Sequence, residues 1–145
     1  MPVQIRAFIA ADCDAWLPLW QGYLDFYETS VAADVTAETW RRLIDPNSGI
    51  YGLAAFDGGR LVGIVHYLFH PVTWSIADRC YLEDLFVSPD ARGSGAGRAL
   101  IEAVYRAAEA AGADQVYWLT AQSNIAARRL YDRVGKATPF MKYRR

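Results

Sequence analysis

The sequence predicts an α/β (α+β) fold with a mixed sheet, and two local patterns point to this class. Residues 51–56 and 61–69 are strand-like runs, and the turn between them contains Gly58-Gly59, a strong signal for an antiparallel hairpin. Residues 79–87 and 116–120 are two further strand-like runs with a helical pattern between them. A helix that crosses between two strands makes them parallel, so this segment is a βαβ unit.

The chain before this hairpin predicts one strand and two helices. Residues 3–9 alternate as in a strand, and Asp12 or Asp14 can cap the helix that follows. Thr36 is expected to cap a second helix over residues 37–44. The aromatic and apolar residues of the first helix recur at helical spacing: Trp16, Trp20, Tyr23, Leu24 and Tyr27.

The chain after the fourth strand alternates between helices and strands. A helix is predicted from Gly97 to about Ala111, with Gly112 as its C-terminal cap. A last helix begins after Asn124, and residues 139–145 are expected to form a final strand. The predicted order is therefore β-α-α-β-β-β-α-β-α-β.

A cluster of glycines lies where the fourth strand passes into the following helix. Gly93, Gly95 and Gly97 remove side chains where backbone N–H groups can approach an anion, and the helix adds its positive dipole end. Gly97 is followed by Arg98 rather than by Lys and Ser/Thr, which excludes a Walker A loop. The five residues between strand and glycines, with a G-x-G-x-G spacing, argue against a nicotinamide-binding fingerprint.

Length and composition favour a single domain over residues 1–145. The chain has 145 residues, of which 53% are hydrophobic, enough for a sizeable core but short for two domains. The N-terminal residues lack the pattern of a signal peptide, and no apolar run has membrane-spanning length. We therefore expect a cytoplasmic protein with no membrane partner.

The charge distribution bears on possible ligands. The formal net charge of −1 argues against nucleic-acid binding. Residues 1–60 contain eight acidic and four basic residues, a net charge of −4. Residues 61–145 contain eight acidic and eleven basic residues, a net charge of +3. This asymmetry suits a cationic acceptor and a polyanionic cofactor on opposite sides, although a solvated surface explains it about as well.

Neither the cysteines nor the histidines form a metal-binding pattern. Cys13 and Cys80 are far apart and belong to no C-x-x-C pair, so two reduced, packed thiols are expected. His66 and His70 lie in one strand-like run with no acidic or cysteine partner nearby in sequence. We interpret them as polar strand positions and expect no metal.

The glycine segment resembles motif A of the Gcn5-related N-acetyltransferase (GNAT) superfamily. Arg92, Gly95 and Gly97 fill the signature Arg/Gln-x-x-Gly-x-Gly/Ala without a gap. Residues 116–145 are similar to fungal members that acetylate histones, polyamines or D-amino acids, and residues 81–87 look like the same strand of diamine acetyltransferases. The resemblance implies the GNAT fold, a mixed, mostly antiparallel sheet with a central parallel βαβ unit and helices on both faces.

This resemblance also implies acetyl-CoA as co-substrate. Its pantetheine arm would pair with the backbone of Leu85 and Val87 on the fourth strand. Asn124 matches the family pattern Asn-x-x-Ala-x-x-x-Tyr and is expected to take part in the cofactor site. Backbone amides of the glycine segment would hold the pyrophosphate: Arg92, Gly93, Ser94, Gly95, Ala96, Gly97 and Arg98.

The same pattern places Tyr131 as the acid that protonates the departing thiolate, with a tyrosine merely packed on the sheet as the alternative. Glu83 and Asp84 are neighbours in a strand, so they should point to opposite sides. Glu83 matches the acidic position of the diamine enzymes and is expected to act as base through water. Alternatively, Glu83 only attracts a cationic substrate.

In the resembled family, the first helix and the following loop wall the acceptor site. Tyr23, Tyr27 and Glu28 are therefore expected to contact the acceptor. The implied function is direct transfer of an acetyl group, in a ternary complex, to a primary amine. A small amine, amino acid or polyamine is favoured over a protein lysine.

A non-catalytic acyl-CoA-binding sensor or partner domain of the same fold is the alternative function. A homodimer is possible because the predicted strand at residues 139–145, with Phe140, Met141 and Tyr143, would be an edge able to pair with another chain.

Overall fold

The computed structural model describes residues 2–145, which contain a five-stranded sheet in the order β1-β2-β3-β4-β5. The first four strands pair antiparallel, and β4 pairs parallel with β5. The strands are β1 (Gln4–Ala7), β2 (Ile50–Asp57), β3 (Arg60–His70), β4 (Arg79–Val87) and β5 (Val116–Tyr117). The helices are α1 (Cys13–Phe26), α2 (Ala33–Ile44), α3 (Ala96–Ala110) and α4 (Ile125–Val134), with short 3₁₀ turns at Ala10–Asp12 and Pro89–Ala91. The predicted mixed, mostly antiparallel sheet is confirmed.

The β2–β3 hairpin turns at the two glycines that the sequence marks. Gly58 and Gly59 have φ angles of 59° and 83°, so both take the left-handed conformation that a two-residue hairpin turn requires. The turn fixes the pairing of Asp57 with Arg60. The predicted hairpin is thus confirmed.

Two cores lie on opposite faces of the sheet because neighbouring residues of β3 point to opposite sides. Val65 packs in the core that α3 covers, together with Leu100 and Val104. Ile64 packs in the core that α1 and α2 cover, together with Trp16. The predicted arrangement of helices on both faces is confirmed.

The beginnings of α1 and α2 differ from the sequence-based expectation. Asp12 lies at the start of α1 but does not cap it; its carboxylate accepts hydrogen bonds from the Arg6 guanidinium and the Ile9 N–H instead. α2 begins at Ala33, so Thr36 lies inside the helix, where its Oγ1 accepts the Trp20 indole N–H at 3.0 Å. Asp12 thus caps the preceding 3₁₀ turn through Ile9, and Thr36 makes a tertiary contact with α1.

The predicted strand at residues 139–145 is wrong. The structure has no strand there, and Phe140, Met141 and Tyr143 are 87%, 72% and 89% exposed. β5 is also shorter than predicted, ending at Tyr117. Apolar alternation favours a strand only if a neighbouring edge satisfies its backbone groups, and this segment has no such neighbour within residues 2–145.

Glu28 ends α1 in an unusual conformation. The Thr29 N–H reaches back to the Leu24 carbonyl at 3.0 Å, which closes the helix. Glu28 has a φ of 52°, the left-handed region in which a side chain is disfavoured and glycine is common. A helix end of this type therefore carries local strain.

Replacing Glu28 with glycine relieves that strain. We expect Glu28→Gly to raise the free energy of unfolding by roughly 0.5–1 kcal/mol. Gln21→Gly, at an exposed interior position of the same helix, should lower it by about 0.5 kcal/mol. Urea denaturation followed by circular dichroism measures both, and a destabilised Glu28→Gly protein would contradict the assignment of strain.

Candidate active site

The sheet opens between β4 and β5. β5 pairs with β4 only at Cys80 and Tyr81, so the rest of this β4 edge has no strand beside it within residues 2–145. The Ser88 N–H donates to the Val62 carbonyl of β3 at 2.8 Å. Because N–H directions alternate along a strand, the N–H groups of Leu85 and Val87 point to the opposite, open edge. An extended ligand could therefore hydrogen-bond there.

The glycine segment follows directly at the end of this edge. Gly93 and Gly95 have φ angles of 86° and 87°, and a Cβ added at either would meet no atom within 4 Å. The conformation, and not lack of space, requires glycine at these positions. Their N–H groups have no acceptor within residues 2–145, and Gly95 immediately precedes α3. The segment thus has the geometry of an anion cradle at a helix N-terminus.

Gly97 has a different role from the other two glycines. A Cβ at this position would lie 3.2 Å from Cδ2 of Leu130, so the missing side chain lets α4 pack against α3. The neighbouring Arg98 is engaged in an ion pair with Glu102 at 2.7 Å. The guanidinium of Arg92 lies 5.7 Å from the centre of the Phe86 ring, a cation–π contact that holds this cation beside the loop.

Tyr131 lies on α4 and packs edge-to-face against Trp118, with ring centres 5.5 Å apart. Burial, and next the proximity of Tyr27, raise the pKa of the Tyr131 phenol to about 12. Asn124 lies just before α4, where its Oδ1 accepts the Ala127 N–H at 3.4 Å. Asn124 is therefore the N-cap residue of α4.

A β-bulge at Glu83 overturns the expected alternation of the two carboxylates. His66 pairs with Asp84 and Tyr67 pairs with Leu82, so Glu83 is an extra residue on β4. Asp84 pairs with His66 and faces the α1 side, like Phe86 two residues further on. Burial, then the charge of Asp84 and, last, that of Glu83 raise the pKa of the Tyr23 phenol.

The environment of Glu83 suits a proton acceptor. Desolvation, followed by the negative charge of Asp84, raises the pKa of the Glu83 carboxyl above its usual range. A more basic carboxylate removes a proton more effectively near neutral pH. The expectation that Asp84 points away from Glu83 is wrong, because it assumed a regular strand.

His66 is buried and connects Asp84 to α1. Its Nδ1 lies 2.9 Å from Asp84 Oδ2, and its Nε2 accepts the indole N–H of Trp16 at 3.1 Å. Sequence reasoning missed this pair, since the two residues lie 18 positions apart on different strands. The available signal was a histidine inside the otherwise apolar run of β3.

The expected acceptor residues lie at the C-terminal end of α1. Tyr23 and Tyr27 are adjacent, with ring centres 5.0 Å apart, and burial followed by the charge of Asp84 raises the pKa of the Tyr27 phenol. After burial, Tyr27 is the second contributor to the raised pKa of the Tyr131 phenol. Glu28 is exposed at the helix end, and no contact of its carboxylate places it in this group.

Within residues 2–145, no three His, Cys, Asp or Glu side chains come together in a way that could hold a metal ion. No helix of the described chain is both long and apolar enough to cross a membrane. The cytoplasmic location stays a prediction.

The sequence model of the Acetyltransferase (GNAT) family matches residues 13–135. The chain belongs to this family. It is an acetyltransferase enzyme.

Two relatives are similar over nearly the whole chain. The D-amino-acid N-acetyltransferase HPA3 of Saccharomyces cerevisiae is 37% identical over 145 residues, which cover 99% of this chain and 90% of the relative. The uncharacterized N-acetyltransferase YhfO of Bacillus subtilis is 33% identical, and the match covers 97% of this chain and 95% of the relative. The resemblance to fungal acetyltransferases expected from the sequence is confirmed.

Solved structures share the fold. A ribosomal-protein-alanine N-acetyltransferase from Brucella melitensis biovar Abortus 2308 has a TM-score of 0.83 and 23% identity, covering 99% of this chain and 97% of its own. AAC(6')-Iy in complex with the bisubstrate analog CoA-S-monomethyl-acetylneamine has a TM-score of 0.84 and 18% identity. The match covers 100% of this chain and 99% of that structure's chain. At these identities the likeness supports the fold alone.

The pKa of Tyr131 predicts a specific loss of stability in alkali. The raised pKa means that the folded protein holds this proton more tightly than the unfolded chain. The resulting stabilisation is complete below the unfolded pKa near 10 and is lost as the pH rises to about 12. Denaturation at several pH values should show a steeper decline in this interval for wild type than for Tyr131→Phe. Parallel declines would contradict the raised pKa.

Proposed function

We propose that this acetyltransferase takes its acetyl group from acetyl-CoA and transfers it directly to a small primary amine in a ternary complex. The observation that carries the proposal is the open edge of β4, which leads from the two carboxylates at one end to the glycine segment at the other. A ligand with an extended amide-containing arm and a diphosphate matches both parts of this edge.

The residues of the open edge fit acetyl-CoA. The N–H groups of Leu85 and Val87 would bind the pantetheine arm. Amides of residues 92–98 and the positive end of α3 would bind the diphosphate. Arg92 adds a cation next to this loop, whereas Arg98 is already paired with Glu102. Asn124 can contribute its amide N–H groups, because its oxygen is used in capping α4. When bound, acetyl-CoA supplies the acetyl group as an activated thioester.

The reaction requires two proton movements. Glu83, acting through water, would remove a proton from the ammonium so that the neutral amine can attack the thioester carbonyl carbon. As the new C–N bond forms and the C–S bond breaks, Tyr131 would donate its proton to the departing sulfur, and the nitrogen would lose its second proton, which restores Tyr131. The balance is one ammonium and one thioester giving one amide, one thiol and one proton, which leaves to solvent after Tyr131 is reprotonated.

An acyl-cysteine route is less suited to this chain. Cys80 is fully buried, and burial raises the pKa of its thiol to about 11. A protonated, buried thiol is a poor nucleophile, since the thiolate is the reactive form. Cys13 lies at the start of α1, at the other end of that helix from Tyr23 and Tyr27. These features support direct transfer.

The acceptor site suits a cation. Glu83 and Asp84 contribute negative charge, and Tyr23 and Tyr27 contribute aromatic faces that attract ammonium groups. The D-amino-acid N-acetyltransferase relative supports an amino acid as acceptor, whereas the two carboxylates favour a diamine. Lysine and cadaverine differ only in the α-carboxylate and are therefore a matched pair of acceptors.

Release of free CoA thiol tests the proposal. Wild-type protein with acetyl-CoA is assayed against D- and L-lysine, cadaverine, polyamines and a lysine-containing histone-tail peptide. Faster turnover of small amines than of the peptide would support a small amine as acceptor. Turnover of the peptide alone would indicate a protein lysine as acceptor. Acetyl-CoA binding without thiol release on any amine would instead favour the acyl-CoA-binding alternative.

The same assay tests the acid. We expect Tyr131→Phe to lower kcat by about 10²- to 10⁴-fold, because general acid catalysis is lost. Tyr105→Phe is the matched control: it removes a hydroxyl that donates to the Val134 carbonyl of α4 at 2.6 Å. The control should lose stability but keep kcat. An unimpaired Tyr131→Phe enzyme would leave Tyr131 as a packing residue.

We further propose a homodimer in which each copy covers the exposed C-terminal side chains of the other. Phe140, Met141 and Tyr143 are at least 72% exposed, and Trp74 and Ile76 form a second apolar group with 91% and 108% exposure. Trp74, Phe140 and Met141 line one groove beside β5. So much apolar surface in one region is typical of an interface.

Light scattering coupled to size-exclusion chromatography tests the dimer. The doubly substituted Phe140→Asp, Tyr143→Asp protein should run as a monomer, since burying two carboxylates in an apolar interface is unfavourable. Val31→Asp, at an exposed apolar position of the loop before α2, should remain a dimer. A monomeric wild type would overturn this part of the proposal.

A further inference from the structure

A buried chain of hydrogen bonds runs from α1 through β3 to Asp84. The Trp16 indole N–H donates to His66 Nε2 at 3.1 Å, and His66 Nδ1 lies 2.9 Å from Asp84 Oδ2. Trp16 and His66 are 1% and 2% exposed, whereas the Asp84 side chain is 16% exposed. The chain therefore leads from the core to a carboxylate that reaches solvent.

The chemistry of Trp16 decides the tautomer of His66. An indole nitrogen can only donate, so Nε2 of the imidazole must be unprotonated and must accept. The imidazole proton then lies on Nδ1 and is donated to Asp84 Oδ2. Because the Trp16 end offers no acceptor, the chain cannot carry a proton away from Asp84. Its effect is to hold one carboxylate oxygen in a fixed position.

Asp84 and the tyrosines expected to contact the acceptor lie on the α1 side of the sheet, and packed aromatic rings link them. The Trp20 ring lies 5.7 Å from that of His66 and 5.6 Å from that of Tyr23, and Tyr27 packs on Tyr23 at 5.0 Å. The charge of Asp84 contributes to the raised pKa of both α1 phenols, after burial. The packed rings thus lead from the histidine that holds Asp84 to the tyrosines at the end of α1.

We propose that Asp84 binds the ammonium group of the acceptor, and that His66, held by Trp16, is a positioning residue that fixes Asp84 for this task. The inference rests on the proposed transfer to an amine and extends it with a specificity-determining residue. The Asp84 oxygen held by His66 keeps the carboxylate in place, which suits binding of the ammonium. The Glu83 side chain makes no hydrogen bond within residues 2–145 and its pKa is raised by burial, which suits proton removal.

This division predicts different kinetic defects for two neighbouring carboxylates. Asp84→Asn should raise KM for the amine about 10- to 100-fold, the effect of losing one charge-assisted hydrogen bond, with KM for acetyl-CoA within about twofold of wild type. Glu83→Gln should mainly lower kcat. Both substitutions keep the shape of the side chain.

A double-mutant cycle separates positioning from simple stabilisation. His66→Leu removes the donor to Asp84 and should raise KM for the amine by about tenfold in the wild-type background. In the Asp84→Asn background the same substitution should raise KM by less than about twofold. His66→Asn keeps an N–H group near the position of Nδ1 and should recover most of the loss. A merely structural histidine would give additive effects and no recovery.

Trp16→Phe and Trp20→Phe are a matched pair for the far end of the chain. Both remove an indole donor from the same aromatic cluster, but the Trp20 N–H bonds to Thr36 and not to His66. Trp16→Phe should raise KM for the amine severalfold, and Trp20→Phe should leave it within about twofold, at similar cost to stability.

Nitrogen-15 NMR of the histidine side chains tests the geometry without turnover. The Nδ1–H tautomer of His66 is expected in wild type and in Glu83→Gln. An Nε2–H tautomer or an imidazolium at neutral pH would overturn the orientation of the chain. An active wild type whose amine KM is unchanged in Asp84→Asn would overturn this inference alone. A wild type that acetylates no amine would overturn the proposed function, and this inference with it.

Discussion

The backbone of β4 has different neighbours on its two edges, and the site depends on this difference. β3 pairs with one edge from Arg79 to Val87 except at the bulge residue Glu83, whereas β5 follows the other edge only as far as Tyr81. Backbone polar groups inside a protein need partners, so an edge left open between two strands of one sheet is costly unless a ligand or water occupies it. The apolar cores on both faces hold the sheet together around this opening.

One extra residue in β4 concentrates the negative charge of the site. Without the bulge, Glu83 and Asp84 would lie on opposite faces of the sheet, and one of them would enter the core beneath α3. With the bulge, Asp84 joins His66 and Glu83 remains beside it near Tyr23. The same shift places Leu82 in the core beneath α3, although Phe86, four residues along the strand, lies in the core of α1 and α2.

Local patterns in the sequence predicted the elements whose formation depends on near neighbours. The Gly58-Gly59 turn, α3 and the parallel βαβ unit are of this kind, because turn chemistry and helical periodicity are properties of short segments. The bulge at Glu83 was not predictable, since it depends on how β3 and β4 align. The pairing of His66 with Asp84 likewise requires two strands to be brought together. The strand expected at residues 139–145 has a suitable apolar pattern but no neighbouring strand within the described chain, and pattern alone cannot show that.

The contact between Gly97 and Leu130 joins two parts of the molecule that otherwise look separate. Leu130 precedes Tyr131 on α4. Its side chain packs against the space beside Gly97 that the Cβ of any other residue would occupy. The third glycine of the phosphate-type motif therefore acts as a spacer that sets how far α4 stands from α3. A larger residue there would shift the tyrosine hydroxyl even if every amide of the loop stayed in place. In the proposed mechanism, selection on this glycine would then act through Tyr131 as the acid as well as through the anion cradle, so one missing side chain would affect two steps of the reaction.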